Sequence, residues 1–293
     1  MDINQANYSQ IVINTINEIF NSLFSSIDNT IYSLLDKMVF IDSSIVRNSF
    51  FDKMLNFSSN ISLITLANSL LIGIVLYYSV KLISAPYTSN HVEKPYQFLF
   101  KVLIFCICIN FSKFLCEKII EINSFISDSI IYIGSSTLHK PISFNNFIEQ
   151  VNSNVVSVSS SYNVFSVNGL IKSFISVGLL NLLFSYSLRY ILIEVFVLLS
   201  PFSFLSLISK STSCFFKSWF RNFVSLLVAQ SFIAFVFLIV FSLEAHADKL
   251  FSQLLYFSSI YVLCKSNQYI RSIIGGISTD VQTNFINMKS VLK

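Results

Sequence analysis

A chain of 293 residues in which 54% are hydrophobic and only 12% charged, with a mean hydropathy of +0.68, is far more apolar than a soluble globular protein. Its formal net charge of +4 is spread over several loops without a platform of basic and aromatic residues, which argues against sequence-specific nucleic-acid recognition. The expected class is an all-α, polytopic membrane protein with short loops and no separate soluble domain.

The first residues, MDINQANYSQ, carry an acid at position 2 and no basic stretch, apolar core or small-residue cleavage site, so no cleavable signal peptide is expected there. From Val12 to Met38 apolar residues recur at steps of three and four: Val12, Ile16, Ile19, Phe20, Leu23, Phe24, Ile27, Ile31, Leu34, Leu35 and Met38. Asn, Ser and Asp stand opposite them, which predicts an amphipathic helix of about 28 residues. Two readings stay open for it: packing on the membrane surface or the protein's own outer loop, or a surface for a partner helix. A second amphipathic stretch, IIEINSFISDSIIYI at 119–133, is a candidate packing mate.

Five membrane spans are predicted. Residues 54–80 are free of charge, which places a first span at about 61–83. A second, at about 97–117, carries Lys101 and Lys113 near its two ends, where both can snorkel. The apolar run 170–209 is about 60 Å long as one helix, twice a hydrocarbon core, and is either a single protruding helix or a hairpin. Residues 222–243 form a clean fourth span, and 250–264 a short fifth.

Charge bias chooses between helix and hairpin. Residues 1–60 hold three basic residues, Lys37, Arg47 and Lys53, against six acidic ones. Residues 119–168 hold one, Lys140, whereas 81–101 holds Lys81, Lys94 and Lys101. A single third helix puts the loop with Lys210, Lys217 and Arg221 inside, EAHAD at 244–248 outside, and the tail inside, with N-terminus out and C-terminus in. The expected organisation is an extracytoplasmic amphipathic region at 1–60, spans one and two within 61–118, an extracytoplasmic loop at 119–168, spans three to five within 169–265 and a cytoplasmic tail at 266–293.

Residues for chemistry are sparse. His91, His139 and His246 stand alone, and Cys106, Cys108, Cys116, Cys214 and Cys264 form no CxxC pair. No GxSxG, P-loop, HExxH or dinucleotide fingerprint occurs, so neither catalysis nor a metal or cofactor is expected. The polar residues inside the third span are more informative. From Tyr190 to Ser209 thirteen Leu, Ile, Phe and Val residues supply roughly 6 kcal/mol of insertion energy, enough to carry Glu194 and Pro201. With the membrane part at about 188–209, Arg189 lies at the outer boundary, as a snorkeling or a functional charge, and Glu194 lies deeper, where a carboxylate needs a partner or a wet cavity. Pro201 frees the carbonyl of Val197 and is expected to kink the helix.

A long helix with an arginine in it ending in LLSPFSFLSL, a short basic loop, then KSWFRNFVSLLVAQSFIAFVFLIV with Trp219 at the membrane boundary and Gln230 inside, then an apolar segment leading to NQYIRSIIGGIS, resembles the TrbL-type polytopic inner-membrane subunit of type IV secretion and conjugation systems. The resemblance covers about residues 170–280; Gly/Ala-rich helices and a long hydrophilic tail are missing. It implies a non-enzymatic channel or pilus-platform subunit of a bacterial inner membrane. Its implied partners are cytoplasmic ATPases, a bitopic scaffold subunit, pilins, the lipid bilayer and further copies of itself, with nucleic acid as a transient substrate. Lys210, Lys217 and Arg221, flanking Trp219, are the candidate cytoplasmic loop contacts, with an ATPase or with anionic headgroups. The alternative is a secondary transporter or small-solute channel with Glu194, Gln230 and Asn181 as midplane groups, which should usually show the inverted repeats that are missing here.

Overall fold

The computed structural model describes residues 11, 12, 14–16, 18, 19, 35–56, 62–88, 93–151, 167–244 and 249–275. Every regular element among them is helical: α1 (Ser49–Met54), α2 (Leu63–Thr88), α3 (Pro95–Asn110), α4 (Ser112–Leu138), α5 (Phe144–Val151), α6 (Val167–Leu205), α7 (Ser213–Glu244) and α8 (Lys249–Ile274), with a 3-10 turn at Ser43–Val46. Three helices contain stretches long and apolar enough to cross a membrane, Leu63–Tyr87, Val177–Leu205 and Ser213–Leu243, and the bent pair α3 and α4 makes a possible fourth. The protein is therefore a helical membrane protein, with three or four candidate spans among the described residues by length and composition, beside the five expected.

The 170–209 run is one unbroken helix as far as Leu205. No hairpin forms at Arg189, and α6 continues through Pro201 to Leu205. Proline at 201 has no N–H for the carbonyl of Val197, but the Ser200 hydroxyl donates to that oxygen at 2.7 Å, so the helix crosses the position with the acceptor satisfied.

The second expected span is broken. Between Asn110 and Ser112 the axis turns by 66°. The Asn110 side-chain amide donates to the Cys106 carbonyl at 2.8 Å, and the Asn110 side-chain oxygen accepts from Asn68 on α2 at 3.0 Å. Beyond the bend Lys113, Glu117, Lys118 and Glu121 make α4 amphipathic. Arg47 pairs with Glu117 at 2.6 Å and Asp52 pairs with Lys113, so the 43–54 segment covers this charged side. The stretch from 119, expected as an outer loop, is thus helical to Leu138, where His139 ends α4 in a left-handed conformation, and helical again in α5. As a packing surface the 119–133 stretch turns Ile120, Asn123 and Ser127 inward, with Asn123 and Ser127 meeting α7.

The fifth expected span lies in α8, which is longer than 250–264 and too polar to count as a span by composition, owing to Lys265, Asn267, Gln268 and Arg271. It runs antiparallel to α7: Tyr256 meets Phe147, which packs on Phe237, Tyr269 lies near Phe232, and Gly275 lies beside Arg221. Gly275, at a φ of +77°, closes α8, so the first part of the expected tail is helical. Gly178 lets α8 approach α6 closely; a Cβ there would lie 2.6 Å from Ile260 Cγ2.

Two apolar clusters fill the bundle. One surrounds Trp219, Phe223 and Phe196; the other joins Phe144, Phe147, Tyr186, Phe237 and Tyr256 at the opposite end. Of the expected N-terminal amphipathic helix, the described residues 11, 12, 14–16, 18, 19 and 35–39 are helical, and Leu35 and Val39 are buried in the second cluster. The remaining positions of that helix, the 244–248 connection after Glu244 and residues 276–293 lie outside the described residues.

Candidate functional site: a polar clasp inside the bundle

The helix ending at Val39 stops inside the protein, so its last carbonyls and the next N–H groups need partners that water does not supply. Side chains from α6 and α7 provide them, braced by α4. Arg189 donates from Nη1 to the Val39 carbonyl at 3.0 Å and from Nε to the Leu226 carbonyl at 2.7 Å. Gln230, one turn beyond Leu226 on the same face of α7, accepts at Oε1 from the Ile41 N–H at 3.1 Å. Its Nε2 donates to Ser127 Oγ at 2.7 Å, and Asn123 Nδ2 donates to its Oε1 at 3.4 Å. Asp36 extends the clasp: its carboxylate accepts from the backbone N–H of Phe144 at 2.7 Å and of Asn145 at 3.4 Å, at the start of α5. Burial pushes the Asp36 carboxyl above its ordinary value, against the pull of those two N–H groups. Residues 36–41 are thereby tied to α4, α5, α6 and α7.

Arg189 sits near the middle of the apolar stretch Val177–Leu205 and is fully buried, which goes against the snorkeling reading, one of the two left open for it. A cation at the carboxyl end of the 35–39 helix also matches the helix dipole. Its Nη2 has no hydrogen-bond partner among the described residues.

Trp219 differs from expectation too. The connection between α6 and α7 covers only 206–212, so Lys217, Trp219 and Arg221 are on α7, not in a loop. Trp219 is buried, donates from Nε1 to the Phe196 carbonyl at 2.9 Å, and stacks on Phe223 with centroids 5.4 Å apart. Lys217 and Arg221 are exposed on the first turns of α7. Lys210 is exposed in the connection, its ammonium 3.6 Å from Glu93.

Glu194 is half-buried and makes no hydrogen bond or ion pair with any described residue. Asn181 lines a groove between α6 and α8 with Lys265, away from the clasp. Arg189 and Gln230 are thus brought together with the 36–41 segment, Trp219 packs between α6 and α7, Pro201 is buried within α6, and Glu194 stands apart. Asp36, Asn123 and Ser127 were not anticipated. The spacing of Asn123 and Ser127, one turn apart within an apolar stretch, was the available signal.

Among the described residues no group of three or more His, Cys, Asp and Glu side chains is arranged to hold a metal ion. A scan of the chain against models of protein families matched none, and a search of curated proteins found no match.

Proposed function

We propose that this protein is a structural, non-catalytic subunit of a bacterial inner-membrane translocation channel of the TrbL type, acting in DNA or protein transfer with cytoplasmic ATPases, a bitopic scaffold subunit and pilins. The observation that carries the reading is the interlocking of the residues behind the resemblance. Arg189 reaches the Leu226 carbonyl, Trp219 reaches the Phe196 carbonyl, and Asn267 donates to Ser185 at 3.0 Å, so α6, α7 and α8 behave as one unit cross-linked by its own motif residues. Those polar groups serve helix assembly, as a scaffold requires.

The relative placement of the ends supports the N-out, C-in reading. Lys210 lies beside Glu93, and Gly275 at the end of α8 lies beside Arg221, so three segments expected on the cytoplasmic side share one end of the bundle. The transporter alternative draws little support, because Gln230 is engaged by Ile41, Asn123 and Ser127, while Asn181 and Glu194 lie apart from it.

The test is deletion of the gene in its source cell, with transfer of DNA or effector protein as the readout and affinity purification of the tagged protein beside it. Loss of transfer and co-purification of a secretion ATPase are expected. Unimpaired transfer in the deletion strain would remove the proposal.

A further inference from the structure

A cavity of about 380 Å³ opens where α2, the start of α3 and the α6–α7 connection meet, lined by Tyr77, Lys81, Glu93, Phe98, Ser209 and Lys210 among others. Its floor is closed by packing: the Tyr78 and Phe98 rings stack with centroids 3.6 Å apart, and the Tyr78 hydroxyl donates to the Glu93 carbonyl. Its charge is unbalanced. Glu93 is matched by Lys101 at 2.6 Å, and that contact holds the Glu93 carboxyl below its ordinary value, so it is ionised at neutral pH. Lys210 approaches the same carboxylate only at 3.6 Å, and Lys81 makes no ion pair with any described residue. The lining therefore carries two ammonium groups, Lys81 and Lys210, and one carboxylate that Lys101 already matches from outside it. The Ser209 and Ser211 hydroxyls, 2.8 Å apart, add hydrogen-bonding capacity at the rim.

The position of the cavity selects the ligand. It lies just past the carboxyl end of Val177–Leu205 and beside the carboxyl-terminal half of Leu63–Tyr87, where Tyr77, Tyr78, Lys81 and Lys210 are residue types suited to the headgroup level. From Lys81 toward the bilayer interior α2 exposes Leu76, Ile72, Leu70 and Leu66, an apolar surface against which acyl chains can lie. We propose that this cavity binds the phosphodiester headgroup of an anionic phospholipid, with Lys81 and Lys210 as the charge partners and its acyl chains along α2. A free phosphate satisfies the lysines but gains nothing from the apolar face, so the lipid is the expected occupant. The proposal rests on the membrane location alone and is independent of any role in secretion.

The experiment uses the full-length protein in neutral detergent and measures its thermal unfolding during titration with dioctanoyl-phosphatidylglycerol, dioctanoyl-phosphatidylcholine or inorganic phosphate. The anionic lipid should raise Tm in a saturable way, while phosphatidylcholine and phosphate should not. In the double variant Lys81→Gln/Lys210→Gln the apparent affinity should fall about twenty-fivefold, each lysine near a membrane surface being worth about fivefold. Lys81→Arg/Lys210→Arg should restore it, which separates lost charge from lost folding. Lys140→Gln, at the turn after α4, should bind as wild type. An undiminished shift in the double glutamine variant, an equal shift with phosphatidylcholine, or an arginine pair that fails to restore binding overturns the site. A shift reproduced by inorganic phosphate and lost in the glutamine variant overturns the lipid and leaves a phosphate site.

Discussion

Helices α2 and α7 both pass as membrane spans, yet 17% of the apolar window of α2 is buried within the protein against 61% of that of α7. Apolar α2 buries Ile64, Ala67 and Leu71 and turns Leu70, Leu76, Val80 and Ile83 outward. The more central α7 carries Trp219, Leu226 and Gln230 on its inner side, each joined to another segment by a hydrogen bond. In lipid, where apolar surface is not squeezed out by the solvent, packing and internal hydrogen bonds hold helices together. Hydropathy therefore finds both helices, and the polar residues identify the central one.

The largest effect expected from that contrast is at Trp219. Trp219→Ala removes a buried ring and its bond to Phe196, and should cost about 3–5 kcal/mol, whereas Leu76→Ala on the outward face of α2 should cost less than about 0.5 kcal/mol. Reversible unfolding in mixed micelles measures both; comparable losses would erase the distinction between the helices. Arg189→Met should follow, at about 2–3 kcal/mol, because it leaves the Val39 carbonyl buried without its charged donor. Arg189→Lys should lose less, as an ammonium keeps one of the two contacts, and a methionine variant as stable as wild type would show that the clasp holds nothing. Gln230→Leu strands the Ile41 N–H and should cost about 1–2 kcal/mol, with Asn123 and Ser127 also losing their partner. Glu194→Ala, by contrast, should remain within about 0.5 kcal/mol of wild type, reversing the order that a deep carboxylate without context suggests.

The smallest effect is a pH dependence. Because burial raises the folded Asp36 carboxyl, the unfolded chain ionises first as pH climbs from about 3.9. The contribution of a neutral Asp36 is complete below that value and is lost as pH rises through the folded one. Asp36→Asn cannot ionise, so the Tm of wild type minus that of the variant should fall across this window and then level off. A difference that rises with pH would mean that the N–H groups of Phe144 and Asn145 outweigh burial.

The apolar runs of α2, α6 and α7 were legible because about 20 uncharged residues in a row have few other uses. Val197's need for a substitute donor was legible from Pro201, though not that Ser200 supplies it. Arg189 was misplaced for a physical reason. Its acceptors are the backbone carbonyls of Val39 and Leu226, 150 and 37 positions away, and a carbonyl leaves no mark in a sequence. Trp219 misled through its commoner use, since a tryptophan among lysines near an apolar run usually anchors at an interface. The bend at Asn110 was hidden because Lys101 and Lys113 at opposite ends of one span look like a snorkeling pair.

The clasp also sets an order of events during synthesis. Val39 leaves the ribosome 150 residues before Arg189, and Ile41 leaves it 189 residues before Gln230. At ordinary elongation rates that interval is on the order of 10–40 s, during which the 36–41 backbone exists without the side chains that complete it. Insertion of α2 cannot wait for α6, so the amino-terminal segment must be held elsewhere, in water, in the insertion machinery or by a chaperone, and seated late. Chains stopped before residue 189 should accordingly leave this segment open to protease, and full-length chains should close it only after the last helices are in place.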